Sequence, residues 1–222
     1  MKTIAYIHTD FPEKFGVPRQ SGLIKELTGS IVFVPEYRSP DAVKGLEGYD
    51  YIWLLWQFQG TERTRWSATV KPPRLGGNTH VGVFATRSPF RPNPIGLSSV
   101  RLERIEFGAQ GPVLQVSGAD LRDGTPIYDI KPYLPYTDSH PDARAGFSGE
   151  VQGYALEVDF PEALLRCFPE EKRAAVVEVL RQDPRPAYQR DEDRQYGMSF
   201  AGYDVRFTVR ANCLQVENVV KL

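Results

Sequence analysis

Two arginines, Arg87 and Arg91, and the amide of Asn93 are set among Pro89, Pro92 and Pro94 in the stretch from Thr86 to Ser98 of this 222-residue chain. Each proline fixes φ and removes a backbone donor, which excludes the stretch from helix and from a central strand. Its freedom is restricted in the unfolded chain as well, so the guanidiniums are presented at a lower ordering cost than on a flexible loop. A planar guanidinium fork suits bidentate grip on a carboxylate or a phosphate. The same composition also suits a structural crossover or a contact between subunits.

The charge around this stretch is lopsided. From Thr61 to Arg101 there are seven basic residues, Arg63, Arg65, Lys71, Arg74, Arg87, Arg91 and Arg101, against one acid, Glu62, a local balance of +6 in a chain whose formal net charge is −1. Overall charge therefore excludes a generally polyanion-binding basic protein, and any nucleic-acid contact must be local. A solvated basic face is the plainer alternative. Within it, Pro72 to Asn78 places stiff residues before Gly76-Gly77, which permit close backbone approach to a ligand. Further on, Asp120-Leu121-Arg122-Asp123-Gly124-Thr125-Pro126 predicts a hairpin turn, while its carboxylates also suit ribose hydroxyls. Tyr128, Asp129, Lys131 and Tyr133 offer stacking and phosphate contact, or simply a strand and its surface.

Several familiar sites are absent from the sequence. There is no GxGxxG, no P-loop and no GxSxG, and His8, His80 and His140 are isolated, so no metal-binding pair is expected. Cys167 and Cys213 have no ligand spacing around them and are expected as free, inert thiols, weighed as small buried hydrophobes. No apolar run marks the first residues or a membrane span, and a cytoplasmic location is expected.

The elements that must position these groups are mainly strands. Thr3 to Thr9, Ser30 to Pro35, Tyr51 to Phe58, Val81 to Thr86, Leu97 to Ile105 and Val113 to Ser117 are short, rich in β-branched or aromatic residues, and bounded by Gly, Pro or Asp. Tyr51 to Trp56 is apolar on both faces, as a centrally buried strand would be. Repeated strands without long helices predict a barrel or a strongly bent sheet. After Thr137 the composition changes. Val151 to Val158 reads as a strand, Pro161 and Pro169 open helical stretches that Pro184 ends, and Tyr203 to Arg210 alternates as a one-sided strand. The expected fold class is mainly β, a barrel-like domain over 1–137 followed by a small α+β domain over 138–222.

Taken together, Lys14 to Gln20, Pro72 to Asn78, Gly82 to Ser88, Phe90 to Gly96, Asp123 to Pro126, Asp129 to Pro135 and Asp183 to Tyr188 closely resemble the TsaA-like family of tRNA methyltransferases, in one order over nearly the whole chain. The resemblance implies a β-barrel methyltransferase, active as a homodimer, that moves a methyl group from S-adenosylmethionine to N6 of threonylcarbamoyladenosine beside the anticodon of tRNA. Position by position it implies a donor site of Pro18, Arg19, Gln20, Phe58, Gln59, Arg87, Leu97, Asp120, Leu121, Arg122 and Asp123. Family members often carry His where this chain has Phe58, which leaves a backbone contact there rather than a polar side chain. Asp123, Asp129 and Tyr133 are the candidates for a base; Arg91, Asn93 and Lys131 are the candidates for holding the acceptor. The tail is expected to serve tRNA placement more than donor capture. A non-catalytic RNA-binding module, or a methyltransferase for another acceptor, would share much of this pattern.

Overall fold

The computed structural model describes residues 1–60, 65–72, 79–151, 153–185 and 191–222. Six strands close a barrel: β1 (Ala5–Thr9), β2 (Thr28–Phe33), β3 (Tyr51–Gln57), β6 (Ile95–Gly108), β7 (Gly111–Ser117) and β8 (Thr125–Pro132), in the order β1-β2-β7-β6-β3-β8. Period-two alternation sends Ala5, Ile7, Ile31, Phe33, Ile52, Leu54, Val100, Leu114 and Val116 into one interior, where they are buried. The strand apolar on both faces, β3, obeys the same geometry. Ile52, Leu54 and Trp56 point in, while Trp53 and Leu55 lie half-buried on the outside, because a closed barrel has only one interior.

The 14-residue β6 changes partners along its length. Ile95 to Arg101 pairs with β3, and Arg101 to Gly108 pairs with β7, with a register shift between Leu102 and Arg104. The barrel is thus left unzipped along the first half of β6 on the side facing β7.

Three expectations are corrected here. Val81 to Thr86 is not one strand: only β5 (Val81–Gly82) pairs, with β4 (Thr69–Val70), and Val83–Ala85 coils into a 3-10 turn closed by bonds from Thr86 N and Oγ1 to the Val83 carbonyl. Asp120 to Pro126 does not close a hairpin. The neighbours of β7 are β2 and β6, those of β8 are β1 and β3, and the connection instead crosses the end of the barrel. Gly118 permits this at φ +76, where a Cβ would sit 3.3 Å from Gly22 Cα. Val151 to Val158 is not a strand either: Gly146–Val151 form a 3-10 turn, and only β9 (Glu157–Asp159) pairs, in parallel with β12 (Cys213–Lys221).

The tail folds as a sheet in the order β10-β11-β12-β9, with β10 (Tyr196–Phe200), β11 (Tyr203–Arg210) and β12 (Cys213–Lys221). After the short α1 (Pro135–Asp138), helices α2 (Glu162–Leu165) and α3 (Glu170–Arg181) start directly after Pro161 and Pro169, which hold the N-cap positions rather than the first helical turn. Ala175, Val176, Val179 and Leu180 of α3 pack on Met198, Phe200 and Phe207 of the sheet. This core is completed from the other end of the chain by Phe11, Ile24 and Leu27, with Phe15 and Val17 packed against it. The segment between β1 and β2 therefore leaves the barrel, inserts into the core of the tail, and returns. Lys172 of α3 locks it with a 2.6 Å ion pair to Asp10. Cys167 and Cys213 are free but exposed, not buried as weighed. Among the described residues no helix is long and apolar enough to cross a membrane.

Candidate functional site

The unzipped edge of β6 is where the candidate residues meet. Gln20 and Ser21 enter from the inserted segment, and the Ser99 N–H of β6 donates to Ser21 Oγ at 3.1 Å in place of a strand partner. The crossover after β7 brings Asp120 to the same slot, where Ser98 Oγ donates to Asp120 Oδ1 at 2.5 Å. Ser98 is itself fully buried and accepts from Trp56 Nε1 at 2.9 Å. From the proline-braced loop, Arg87 Nη1 donates to Gln20 Oε1, and its exposed charge acts on Asp120. Burial pushes the Asp120 carboxyl above the ordinary carboxylate range, a tendency that the Ser98 bond and the Arg87 charge reduce without cancelling.

Around this centre, Phe58 packs its ring against Trp56 with centroids 4.3 Å apart, and its N–H donates to the Pro94 carbonyl. Gln59 accepts from Arg122 Nη2, tying the end of β3 to the crossover. Leu121 is buried beneath, Pro18 is buried above, and Leu97 stands outside at 55% exposure. Arg19 reaches the tail, donating to the Asp183 carbonyl at 3.4 Å; the Asp183 side chain is held by Arg185 at 2.8 and 3.0 Å and by the Tyr154 hydroxyl at 3.0 Å.

The remaining candidates are scattered. The Asp123 carboxylate turns to β1, accepting from Thr9 N at 3.0 Å beside His8 Nδ1. Tyr133 sits beyond β8, its N–H on the Tyr51 carbonyl, five residues along β3 from Trp56 or about 17 Å away. Asp129 is opposite Leu55, which is opposite Leu97, so these three share one outer face. Lys131 pairs with Asp129 at 2.9 Å. Arg91 folds back into its own loop, bonding the carbonyls of Val83 and Thr86 at 3.1 and 2.6 Å, and Asn93 is exposed. Of the stretch Pro72 to Asn78, residues 73–78 lie outside the described residues, as do Arg63, Arg74 and the end of Asp183 to Tyr188.

Two family models match this chain, that of the tRNA-methyltransferase O N-terminal domain over residues 6–139 and that of the TrmO C-terminal domain over 154–222. The chain belongs to the tRNA-methyltransferase O family. It is 42% identical over 214 residues to the tRNA (adenine(37)-N6)-methyltransferase of Escherichia coli, covering 93% of this chain and 91% of that protein. A Pseudomonas aeruginosa protein, named provisionally as an S-adenosylmethionine-dependent methyltransferase, is 42% identical over 212 residues, covering 92% of this chain and 90% of its own length. A crystal structure of TrmO from the same species superposes with a TM-score of 0.79 at 35% identity, covering 99% of this chain and 95% of that one.

Three contributors in this member of the family escape a reading of side-chain types: Ser98, Ser21 and Trp56. The one signal is a serine on the otherwise apolar inward face of β6, which implies a buried partner. Gly96 shows how tightly the group is set. A Cβ there would fall 2.2 Å from the Trp56 ring, so Gly96→Ala is expected to cost about 1–3 kcal/mol by overpacking. Displacing Trp56 also pulls on Ser98 and Asp120. Denaturant midpoints should fall together with donor affinity, and a loss in only one of them would disconnect this chain of contacts from the site.

Asp120 gives a second expectation. Because its folded pKa lies above the unfolded value of about 3.9, the ionised carboxylate costs stability, a cost absent at lower pH and complete above the folded pKa. Asp120→Asn should thus raise Tm at neutral pH, and the gain should vanish as the pH falls below the ordinary carboxylate range. A variant less stable than wild type at pH 7 would mean that the Arg87 and Ser98 contacts outweigh burial.

Proposed function

We propose that this chain is an S-adenosylmethionine-dependent methyltransferase acting on N6 of adenosine-37 of tRNA, with threonylcarbamoyladenosine as the acceptor nucleoside. The observation that carries the reading is the convergence of Gln20, Arg87, Ser98 and Asp120 on one slot, in a member of this family. The donor set fits the donor molecule. A guanidinium braced by Gln20 matches an α-carboxylate, a half-buried carboxylate matches ribose hydroxyls, and Leu97 with the half-buried Phe58 ring offers apolar surface to a purine. When bound, S-adenosylmethionine supplies an already activated methyl group on sulfonium. The residues then have chiefly to align, an effect worth up to about 7–11 kcal/mol.

Of the three candidate bases, Asp129 is the one proposed to take the N6 proton. It shares the outer face of Leu97, whereas Asp123 is spent on β1 and Tyr133 is a barrel-length away. Its oxygens hold Ile130 N and Lys131 Nζ, and a carboxylate's remaining lone pairs can still accept. Residues 1–137 carry the chemistry in this reading, and 138–222 serve tRNA placement while also anchoring the segment that delivers Gln20 and Ser21. A homodimer in the cytoplasm is part of the proposal, with Ile95 and Leu97 offering exposed apolar surface to a second copy. Transfer of labelled methyl from the donor to tRNA is the direct test. A protein that binds donor but labels no tRNA would require a different acceptor.

A further inference from the structure

Two aromatic rings flanking the β4–β5 pair are held in water. Phe84 is 71% exposed and Trp66 is 55% exposed, with centroids 6.1 Å apart and planes tilted by 31°. Neither closes a core, yet the backbone beneath them is heavily fastened. Phe84 sits on the 3-10 turn over Val83–Ala85, whose Val83 side chain is buried as an anchor. The Val83 carbonyl accepts from Thr86 N, Thr86 Oγ1 and Arg91 Nη1, and the Val83 N–H donates to the Ala68 carbonyl, two residues from Trp66. Arg91 also lies over the Phe84 ring at 5.6 Å. The structure thus spends several hydrogen bonds and one guanidinium on displaying, rather than burying, an aromatic pair.

The electrostatic setting selects the occupant. No Asp or Glu occurs between Arg65 and Leu102, while Arg65 adjoins Trp66 and Arg87 lies three residues beyond Phe84. A basic segment without acids, carrying preorganised rings, matches single-stranded nucleic acid, whose bases stack and whose phosphates are drawn by cations. An acidic protein surface would offer charge but no flat π-faces to fill the aromatic pair.

We propose that Phe84 and Trp66 form a stacking platform for an unpaired base of the substrate RNA, next to the nucleotide presented at the donor slot. This rests on the tRNA reading above. Fixed rings spare the complex the ordering cost of two side chains, which explains why Arg91 is committed to the turn and not left for the ligand.

The test compares full-length wild type with Phe84→Ala and Trp66→Ala, and with the aromatic exchanges Phe84→Tyr and Trp66→Phe. Both side chains are largely exposed, so the fold should tolerate all four. Each alanine variant should bind unmodified tRNA about 5- to 100-fold more weakly, with the aromatic exchanges near wild type. Affinity for S-adenosylmethionine should be unchanged, as should the salt slope of tRNA binding, because stacking releases no counterions. Unchanged tRNA affinity in the alanine variants would overturn the platform while leaving the tRNA reading intact. An altered sedimentation coefficient would overturn it in favour of a subunit contact. Failure of the wild type to bind tRNA would overturn both the platform and the reading beneath it.

Discussion

Replacing Arg87 with alanine is expected to weaken S-adenosylmethionine binding by roughly 1.5–3 kcal/mol, about 10- to 150-fold, with the fold unchanged. The side chain is exposed, so its removal opens no cavity in the barrel. What is lost is a charge-assisted contact whose geometry is set from two sides, by the prolines of its own loop and by the bond to Gln20. Loss of the guanidinium also leaves the half-buried Asp120 without its nearest acting positive charge, which makes the slot less hospitable to an ionised carboxylate. Arg87→Lys should recover only part of the affinity, since an ammonium restores the charge without the planar fork. Calorimetric titration reads the effect directly, and equal affinities in folded wild type and Arg87→Ala would remove Arg87 from the donor site.

A larger effect is expected from the acceptor. On tRNA lacking threonylcarbamoyl, methyl transfer should be nearly absent. The exocyclic amine of plain adenosine has no adjoining carbonyl to acidify the nitrogen, so the proposed proton transfer to Asp129 becomes far harder. The modification also adds a carboxylate to grip. Of the two cations that could hold it, Arg91 has Nη1 on the Val83 and Thr86 carbonyls, whereas Lys131 is in an exposed pair with Asp129. Such surface pairs contribute about 0–1 kcal/mol, so Lys131 can be diverted to a substrate carboxylate at little cost. Aligned transfer and nitrogen activation would then fail together on unmodified tRNA. Methyl incorporation into one tRNA prepared with and without the modification, at equal donor concentration, decides the matter. Comparable incorporation into both would sink this acceptor and leave the methyltransferase reading standing.

The barrel was legible because its information is local. The β-branched and aromatic runs Thr3 to Thr9 and Leu97 to Ile105, with the turn residues that bound them, each act within a few residues. The hairpin expected at Asp123-Gly124 failed for the opposite reason. A turn signal shows where the chain bends but not which strand it next meets, and β8 joins β1 and β3 through pairings more than a hundred residues apart in the first case. Side-chain chemistry singled out Arg87 and Asp120, and the family resemblance Gln20, but Ser98 and Ser21 gain their places from where β6 parts from β7. The insertion of Phe11, Ile24 and Leu27 into the core of the tail was equally hidden, since apolar residues look alike whichever core they fill. It links the tail to the barrel physically, so truncation near Thr137 would uncover those side chains rather than release an independent barrel.

Transfer of a methyl group to N6 of the modified adenosine is read most plainly by mass spectrometry of nucleosides. Purified protein is incubated with S-adenosylmethionine and tRNA carrying threonylcarbamoyladenosine, and the tRNA is then digested. The expected product is a nucleoside heavier than threonylcarbamoyladenosine by one methylene, with fragments placing the methyl on N6, formed about 10- to 150-fold more slowly by Arg87→Ala at donor concentrations well below saturation. Methylation confined to any other nucleoside, or none in the presence of demonstrated donor binding, would contradict it.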